Sequence, residues 1–361
     1  MSSEYKKYYY RSVWKKIFYI SMWWMAFISK LIPKKKNLYI FGSMNGYQVV
    51  DNPLYLYINI EIDCERYFIT KNKEILNDRL ADGSFPIYAY SPKGVLLQLR
   101  AERVYFSHGI YDFVPYLIWG SEKHNLWHGV AIKEVGQSAD WKFNSKLFRK
   151  VKLKLNRLFA YAYYMSCDYV YCPFADRIDD YKRYFEVSHP EVRITSSARI
   201  MYAPAKHKES KILYAPTYRP YYTSRRDYKD FLRSVGLFSG SIQTFLQNNN
   251  TVLVVRSHPI DKQFLQTIQL PNGLFIDETP DIYQSLKEYS AVITDYSSIY
   301  YDCKEMGSDC YILAPDLEQY NNHVGMDNRF YYNVAIEKAD TFIELIDKLK
   351  ASITSGGMMV G

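Results

Sequence analysis

The 361-residue sequence lacks most of the signatures that would fix its chemistry at once. Its five cysteines (Cys64, Cys167, Cys172, Cys303 and Cys310) are an odd number in a long chain, and none forms a Cys-x-x-Cys pair. That argues against a disulfide framework or a zinc site and predicts reduced, cytosolic thiols. No His/Cys cluster has metal-ligand spacing, and neither a Walker loop nor a Gly-x-Gly-x-x-Gly turn is present. No Asp-x-Asp follows a strand, so the metal-and-nucleotide anchor of single-domain sugar transferases is missing. The expectation is no cofactor and no dedicated metal, with at most a loosely bound divalent cation. Repeats and low-complexity linkers are also absent. The uncharged run Ile17–Ser29 is well short of the ~20 residues that a membrane-spanning helix needs.

What is present suits a two-domain globular protein. Hydrophobic residues make up 48% of the chain and tyrosine alone supplies 37. Such a tyrosine surplus fits cores, interfaces and sugar-binding clefts, or reflects genome composition alone. The formal charge of +8 invites an anionic partner. The basic stretches carry no nucleic-acid module, which ranks nucleic acid last. Residues 1–36 combine Trp14, Trp23 and Trp24 with flanking Lys and Arg. Pro33-Lys34-Lys35-Lys36 stands where a signal peptide would offer a cleavage site. This predicts a helix on the cytoplasmic leaflet, with a buried core helix as the alternative. From Lys146 to Phe159, apolar residues recur at helical spacing among six basic residues and no acid. That basic amphipathic helix suits an anionic membrane surface, or else packs with a solvated basic face.

Short apolar strands alternate with helical stretches along the rest of the chain, the pattern of parallel α/β sheets. Asn37–Phe41, Phe68–Thr70, Arg103–Phe106 and Asn125–Trp127 are the predicted strands of a first domain, residues 37–193. A second domain, residues 194–354, has predicted strands at Lys211–Ala215, Thr251–Ser257, Leu274–Ile276, Ala291–Thr294 and Cys310–Leu313. Its predicted helices are Asp230–Gln247, Asp281–Tyr289, Ser298–Met306 and Ala339–Ser352. Residues 355–361 read as a disordered tail.

Four sites stand at strand ends, where open α/β sheets place ligands. Trp127-His128-Gly129 offers a histidine suited to general-base work, beside a glycine that permits close backbone approach. Ser107-His108-Gly109 makes a similar corner. In Arg256-Ser257-His258-Pro259, the arginine and the histidine are two apart on a strand end and share one side. In Thr294-Asp295-Tyr296-Ser297-Ser298, a strand runs into a helix whose free N–H groups and serine hydroxyls could hold a pyrophosphate. Ordinary helix capping by Asp295 or Ser297 is the plainer alternative. Asp302 lies four residues after Ser298, on the same helical face. The fourth site, Ala215-Pro216-Thr217-Tyr218-Arg219, delivers an arginine that taken singly could be a surface charge.

Taken together and in this order, the four motifs resemble the CDP-glycerol glycerophosphotransferase family, which builds teichoic acids and related capsular polymers. Phe41-Gly42-Ser43 and Asp51-Asn52-Pro53 extend the resemblance, which runs from about Asn37 to Tyr332. The chain departs from the family at Val130-Ala131, where Thr-Pro is usual, and at Thr195–Ala198, where a Gly- and Pro-containing turn is usual. The resemblance implies a GT-B fold, two Rossmann-like domains facing a cleft, with the donor held mainly by the C-terminal one. It implies His128 as catalytic base beside Trp127 and Gly129, with His258 as a second catalytic histidine. Arg199, Tyr218, Arg219, Arg256, Ser257, Thr294, Ser297, Ser298 and Asp302 would surround the donor. The implied reaction moves an alditol phosphate from CDP-glycerol or CDP-ribitol to a polyprenyl-linked glycan, releasing CMP, at the cytoplasmic face of the membrane. Two rival readings are a GT-B transferase using a nucleotide sugar and a non-catalytic membrane-surface binding protein.

Overall fold

The computed structural model describes residues 14, 17–133, 135, 146–204, 209–222, 224–257, 261, 265–279 and 281–357. The chain divides into two compact units. The first is Met1–His128 with Val135–Tyr202, and the second is Gly129–Glu134 with Ala203–Gly361.

The first unit is built on a parallel sheet of β1 (Lys35–Gly42), β2 (Glu65–Thr70), β3 (Ile87–Tyr88), β4 (Ala101–Phe106), β5 (Glu122–Asn125), β6 (Tyr169–Cys172) and β7 (Glu191–Ile194). Their spatial order is β3-β2-β1-β4-β5-β6-β7, and every pairing is parallel. The strand order reverses between β1 and β4, which marks the carboxyl ends of those two strands as the ligand edge. Leu38–Phe41 is buried throughout, as expected of a parallel strand covered on both faces. Tyrosine serves largely as core here: Tyr39, Tyr57 and Tyr105 cluster with Phe41 and Phe68, and the Phe41 and Tyr105 rings stack at 5.0 Å.

β5 lies earlier than its predicted position. Its residues are Glu-Lys-His-Asn, of which Lys123, His124 and Asn125 are buried. Lys123 is paired with Asp168, and His124 Nδ1 meets the Tyr171 hydroxyl at 2.8 Å. A strand of buried but partnered polar groups carries no apolar signal. β6, β7 and the helix Ile178–Tyr184 have no counterpart among the predicted elements.

The second unit holds β8 (Glu209–Ala215), β9 (Val252–Val255), β10 (Leu274–Ile276), β11 (Tyr289–Thr294) and β12 (Cys310–Ile312), in the order β10-β9-β8-β11-β12 and all parallel. Its switch point lies between β8 and β11. The expected helix Asp230–Gln247 is two helices, Arg225–Ser234 and Gly240–Asn248, parted near Gly236, whose φ is +80°. A capping box between Ser224 and Asp227 starts the first of them earlier than predicted. The expected helix Asp281–Tyr289 is two single 3-10 turns, Ile282–Gln284 and Leu286–Glu288, and Tyr289 already opens β11. The expected Ala339–Ser352 helix becomes a 3-10 turn, Ile343–Leu345, and a helix over Ile346–Gly357. That helix enters the segment predicted as a disordered tail, and residues 358–361 lie outside the described residues.

Among the described residues no helix is long and apolar enough to cross a membrane. The helix Trp23–Leu31 buries Ala26 and Ser29, and just before it Tyr19 packs on Tyr111 at 5.0 Å. Lys34 is not a solvated basic residue: its Nζ donates to Ser29 O and Leu99 O, and burial lowers its pKa to about 8. The other face of this helix leaves Trp23, Trp24, Phe27 and Leu31 exposed. The helix Lys146–Leu158 likewise exposes Leu147, Phe148, Val151, Leu155 and Leu158. Ile20, just before the first of these helices, lines a cavity of about 240 Å³ together with Lys152, Leu155 and Phe159 of the second stretch.

Gly109, in the Ser107-His108-Gly109 corner, has φ 101° and ψ 178°, a region open essentially to glycine alone. A Cβ there would lie 2.1 Å from Tyr164 O. Gly109→Ala should therefore lower stability in urea by about 1–3 kcal/mol or more. Gly83→Ala, where φ is +82° but nothing lies within 4 Å, should cost less. Equal midpoints for the two variants would show that Gly109 is not constrained as described.

Candidate functional site

In the first unit the functional residues gather at the carboxyl ends of β1, β4 and β5. The buried Asp112 carboxylate accepts N–H bonds from Asn45 (2.6 Å), Ser107 (3.0 Å) and His108 (3.0 Å), joining the turn after β1 to the turn after β4. Burial raises its pKa to about 6 against the pull of those bonds. After β5, Trp127 takes φ +55° and Gly129 φ +123°, so the chain leaves the ladder sharply and sets His128 at the rim. Asn52 holds this turn. Its amide donates to Trp127 O at 2.7 Å, and its Oδ1 accepts Arg199 N–H at 2.9 Å. Asp51, itself at φ +67°, pairs with Arg199 Nη1 at 2.8 Å, and Nη1 also donates to His128 O at 3.1 Å. Non-glycine residues at positive φ are uncommon, and here two meet within one hydrogen-bonded cluster.

His128 is half-buried. Its Nδ1 stands 2.9 Å from Ser107 O. A carbonyl can only accept, so Nδ1 carries the proton and Nε2 keeps its lone pair. Burial lowers the His128 pKa below its ordinary 6.5, against the opposing effects of the Ser107 bond and Asp51, while Arg199 adds to the lowering. His108 stacks face to face on it at 4.3 Å, and burial with its neighbour's charge lowers the His108 pKa to about 3. Both rings are therefore neutral at pH 7. Arg199, placed by sequence among donor ligands, is buried inside this cluster.

In the second unit the remaining residues gather at the β8/β11 switch point. Asp295 is fully buried, and its Oδ1 accepts from Thr217 N (2.8 Å), Thr217 Oγ1 (2.5 Å) and Tyr296 N (2.6 Å). Its Oδ2 meets Arg219 Nη1 at 2.5 Å. Asp316 grips the same guanidinium with both oxygens, at 3.0 Å to Nε and 2.9 Å to Nη2, and also takes the hydroxyls of Tyr221 and Tyr296. Burial would lower the Arg219 pKa, but the two carboxylates hold it well above the usual arginine value. Arg219 is thus an internal tie between strand ends, with 1% of its surface exposed. Asp316 was not read from the sequence, where it is one acid in Pro-Asp-Leu with no motif around it.

Asp295 does not cap the following helix, Ile299–Met306, and the Ser298 side chain makes no capping bond either. Ser297 Oγ accepts Ile299 N–H only at 3.4 Å. Ser297, Ser298, Tyr218 and Ser257 remain half-buried at the edge, and Thr294 is fully buried with its hydroxyl on Ala215 O. Arg256 pairs with Asp277 at 2.5 Å and bonds Thr279, with a quarter of its side chain exposed. Asp302, expected near a ribose, is buried and accepts the Tyr283 hydroxyl at 2.7 Å. His258 lies outside the described residues. Among the described residues no group of three His, Cys, Asp or Glu side chains could hold a metal.

Two doubly wound parallel sheets, each with charged and hydroxyl groups at its switch point, define the class: a GT-B-type α/β protein. The chain belongs to the CDP-glycerol:poly(glycerophosphate) glycerophosphotransferase family, whose model matches residues 24–356. It is similar to the wall teichoic acid polymerase TagF, with a TM-score of 0.62 at 14% identity over 96% of this chain and 92% of that one. A His-to-Asn variant of TagF soaked with CDPG gives 0.61 at 15% identity over the same shares. A teichoic acid ribitol-phosphate primase from Bacillus spizizenii is 27% identical over 131 residues, 36% of this chain. That match spans 31% of the primase.

The Asp51–Arg199 pair is buried, so removing one partner strands a charge. Asp51→Ala should cost about 3–5 kcal/mol, and adding Arg199→Met should recover much of it. Thermal melts of Asp51→Ala, Arg199→Met and the double variant decide this. Single losses that simply add in the double variant would mean that the pair is not coupled.

Proposed function

We propose that the chain transfers glycerol phosphate, or a related alditol phosphate, from a CDP-activated donor to a hydroxyl of a lipid-linked glycan or growing polymer. An acceptor O–H attacks the β-phosphorus, the new P–O bond forms, and the bond to the CMP phosphate oxygen breaks. His128 Nε2 takes the acceptor proton. The observation that carries this reading is the His128 Nδ1 bond to Ser107 O, which leaves a lone pair at the rim of the sheet in a chain of this family. On the donor side we assign Tyr218, Arg256, Ser257, Ser297 and Ser298, and His258 that follows Ser257 in sequence, to the nucleotide diphosphate. Arg219 and Thr294 act from within by holding the strand ends, and Asp302 by tying the helix Ile299–Met306 to the turn Ile282–Gln284. The CDPG soak of TagF supports the choice of donor, and the ribitol-phosphate primase keeps CDP-ribitol in view. Donor screening by mass spectrometry tests the reaction: CMP should be released from CDP-glycerol or CDP-ribitol. Nucleoside diphosphate released from a sugar nucleotide instead would make the chain a glycosyltransferase.

The general base should be separable from binding. For His128→Ala we expect near-normal CDP affinity and transfer at least ~100-fold slower. His108→Ala should retain more activity. Because the His128 pKa is lowered, the neutral base persists on acidification. Wild-type kcat/KM should fall only as pH drops through a midpoint below 6.5. A dead His108→Ala beside an active His128→Ala would reassign the base.

We also propose that the exposed faces of Trp23–Leu31 and Lys146–Leu158 rest on an anionic membrane at its cytoplasmic side, where a polyprenyl-linked acceptor is found. Sedimentation with anionic vesicles should recover the protein, less so in high salt and less again after Lys150, Lys152 and Lys154 are changed to Glu. Recovery indifferent to anionic lipid would remove this part of the proposal.

A further inference from the structure

Residues 129–134 follow the His128 turn in sequence, yet they belong to the second unit. Val130, Ala131 and Ile132 are buried there, and Ile132 O accepts the Asp327 N–H at 3.0 Å, at the cap of the helix Asn328–Glu337. This stitch delivers Lys133 to the β8/β11 switch point. Its ammonium lies 5.6 Å from the centre of the buried Tyr320 ring, in the electrostatic range of Asp295. The Tyr320 ring in turn stacks on Tyr296 at 4.1 Å, the residue between Asp295 and Ser297.

The cations at this edge differ in their commitments. Arg219 is fully occupied by Asp295 and Asp316, and Arg256 by Asp277 and Thr279. Lys133 has no hydrogen-bond or ion-pair partner among the described residues. The oxygens of Asp295 are already taken by Thr217, Tyr296 and Arg219. A half-buried ammonium facing an aromatic ring has given up part of its hydration without a hydrogen-bonding partner in return. An anionic oxygen arriving at the switch point would supply one.

We propose that Lys133 is a phosphate-binding residue of the second unit, contacting the diphosphate of the CDP-linked donor. The inference rests on the donor reading above and adds a residue to it. The rival role is purely structural. Arg219, Asp295 and Asp316 together leave one carboxylate in excess, and Lys133 would then serve only to offset it.

Calorimetry and competition on the full chain separate these, using CDP, inorganic pyrophosphate and uncharged cytidine as probes, with Lys133→Met and Lys133→Arg. We expect Lys133→Met to weaken CDP and pyrophosphate by about 10–100-fold while cytidine binding and the melting temperature hold. Lys133→Arg should recover most of the loss. Unchanged CDP affinity in Lys133→Met overturns the proposal. So does a parallel fall in CDP affinity, cytidine affinity and melting temperature, which is the structural outcome. Wild-type protein that binds pyrophosphate but not CDP would sink the donor reading and leave the anion site to be judged on pyrophosphate. Wild-type protein that binds neither would sink both.

Discussion

The guanidinium of Arg219, held between Asp295 and Asp316, is the interaction on which the second unit's site depends. It joins the ends of β8 and β11, which border the switch point, to the turn after β12 beside them. Removing two carboxylates and a guanidinium from water carries a desolvation cost of several kcal/mol per ion. Here the geometry offsets it, with a bidentate grip from Asp316, a carbonyl from Thr217 and the Phe231 ring 4.1 Å from the guanidinium carbon. Such a network adds little as a source of stability. Its effect is positional: the Thr217 and Tyr296 backbones have one place to go, and Tyr218 and Ser297 beside them inherit it.

The first unit solves the same problem with Asn52 and Asp51. Asn52 fixes the Trp127 carbonyl and the Arg199 N–H at once, while Arg199 returns a bond to the His128 carbonyl. The His128 ring is thus oriented at both ends, its backbone through Arg199 and its Nδ1 through Ser107. The positive φ values of Asp51 and Trp127 fall in this cluster, where dense hydrogen bonding can sustain them. A histidine ring held in this way is fixed in one tautomer, with Nε2 left as the acceptor.

Much of this was legible in the sequence, and the misses have physical causes. Buried strands such as β1, β8 and β11 announce themselves because both faces are apolar. β5 did not, since its Lys123 and His124 are buried by virtue of partners supplied from distant segments. The helix spanning Asp230–Gln247 was overdrawn because apolar spacing continues across the break at Gly236. At the site, His128 and the Thr294–Ser298 turn could be found as motifs. Whether a charged side chain faces the ligand or the interior could not, because that depends on which carboxylates the fold brings near. Arg199, Arg219 and Asp302 were read as ligand contacts, and each has a protein partner. Asp316 and Lys133 carried no local signal at all.

The contrast between the arginines and Lys133 follows from their chemistry. A guanidinium is planar, permanently charged and weakly hydrated, so two carboxylates can satisfy it in the interior and convert it into a fixed strut. An ammonium on a flexible stem is a compact charge with three rotatable donors, and loses more by being buried without acceptors. At the edge of a sheet whose strand ends are already locked, the strut and the ligand contact are different tasks. Arginine suits the first because its geometry must not change when the donor binds. Lysine suits the second because its charge can follow a phosphate that moves as the β-phosphorus passes from one oxygen to the next. The segment 129–134 places Lys133 in the second unit directly after His128, the proposed base, so the two groups are covalently linked by five peptide bonds.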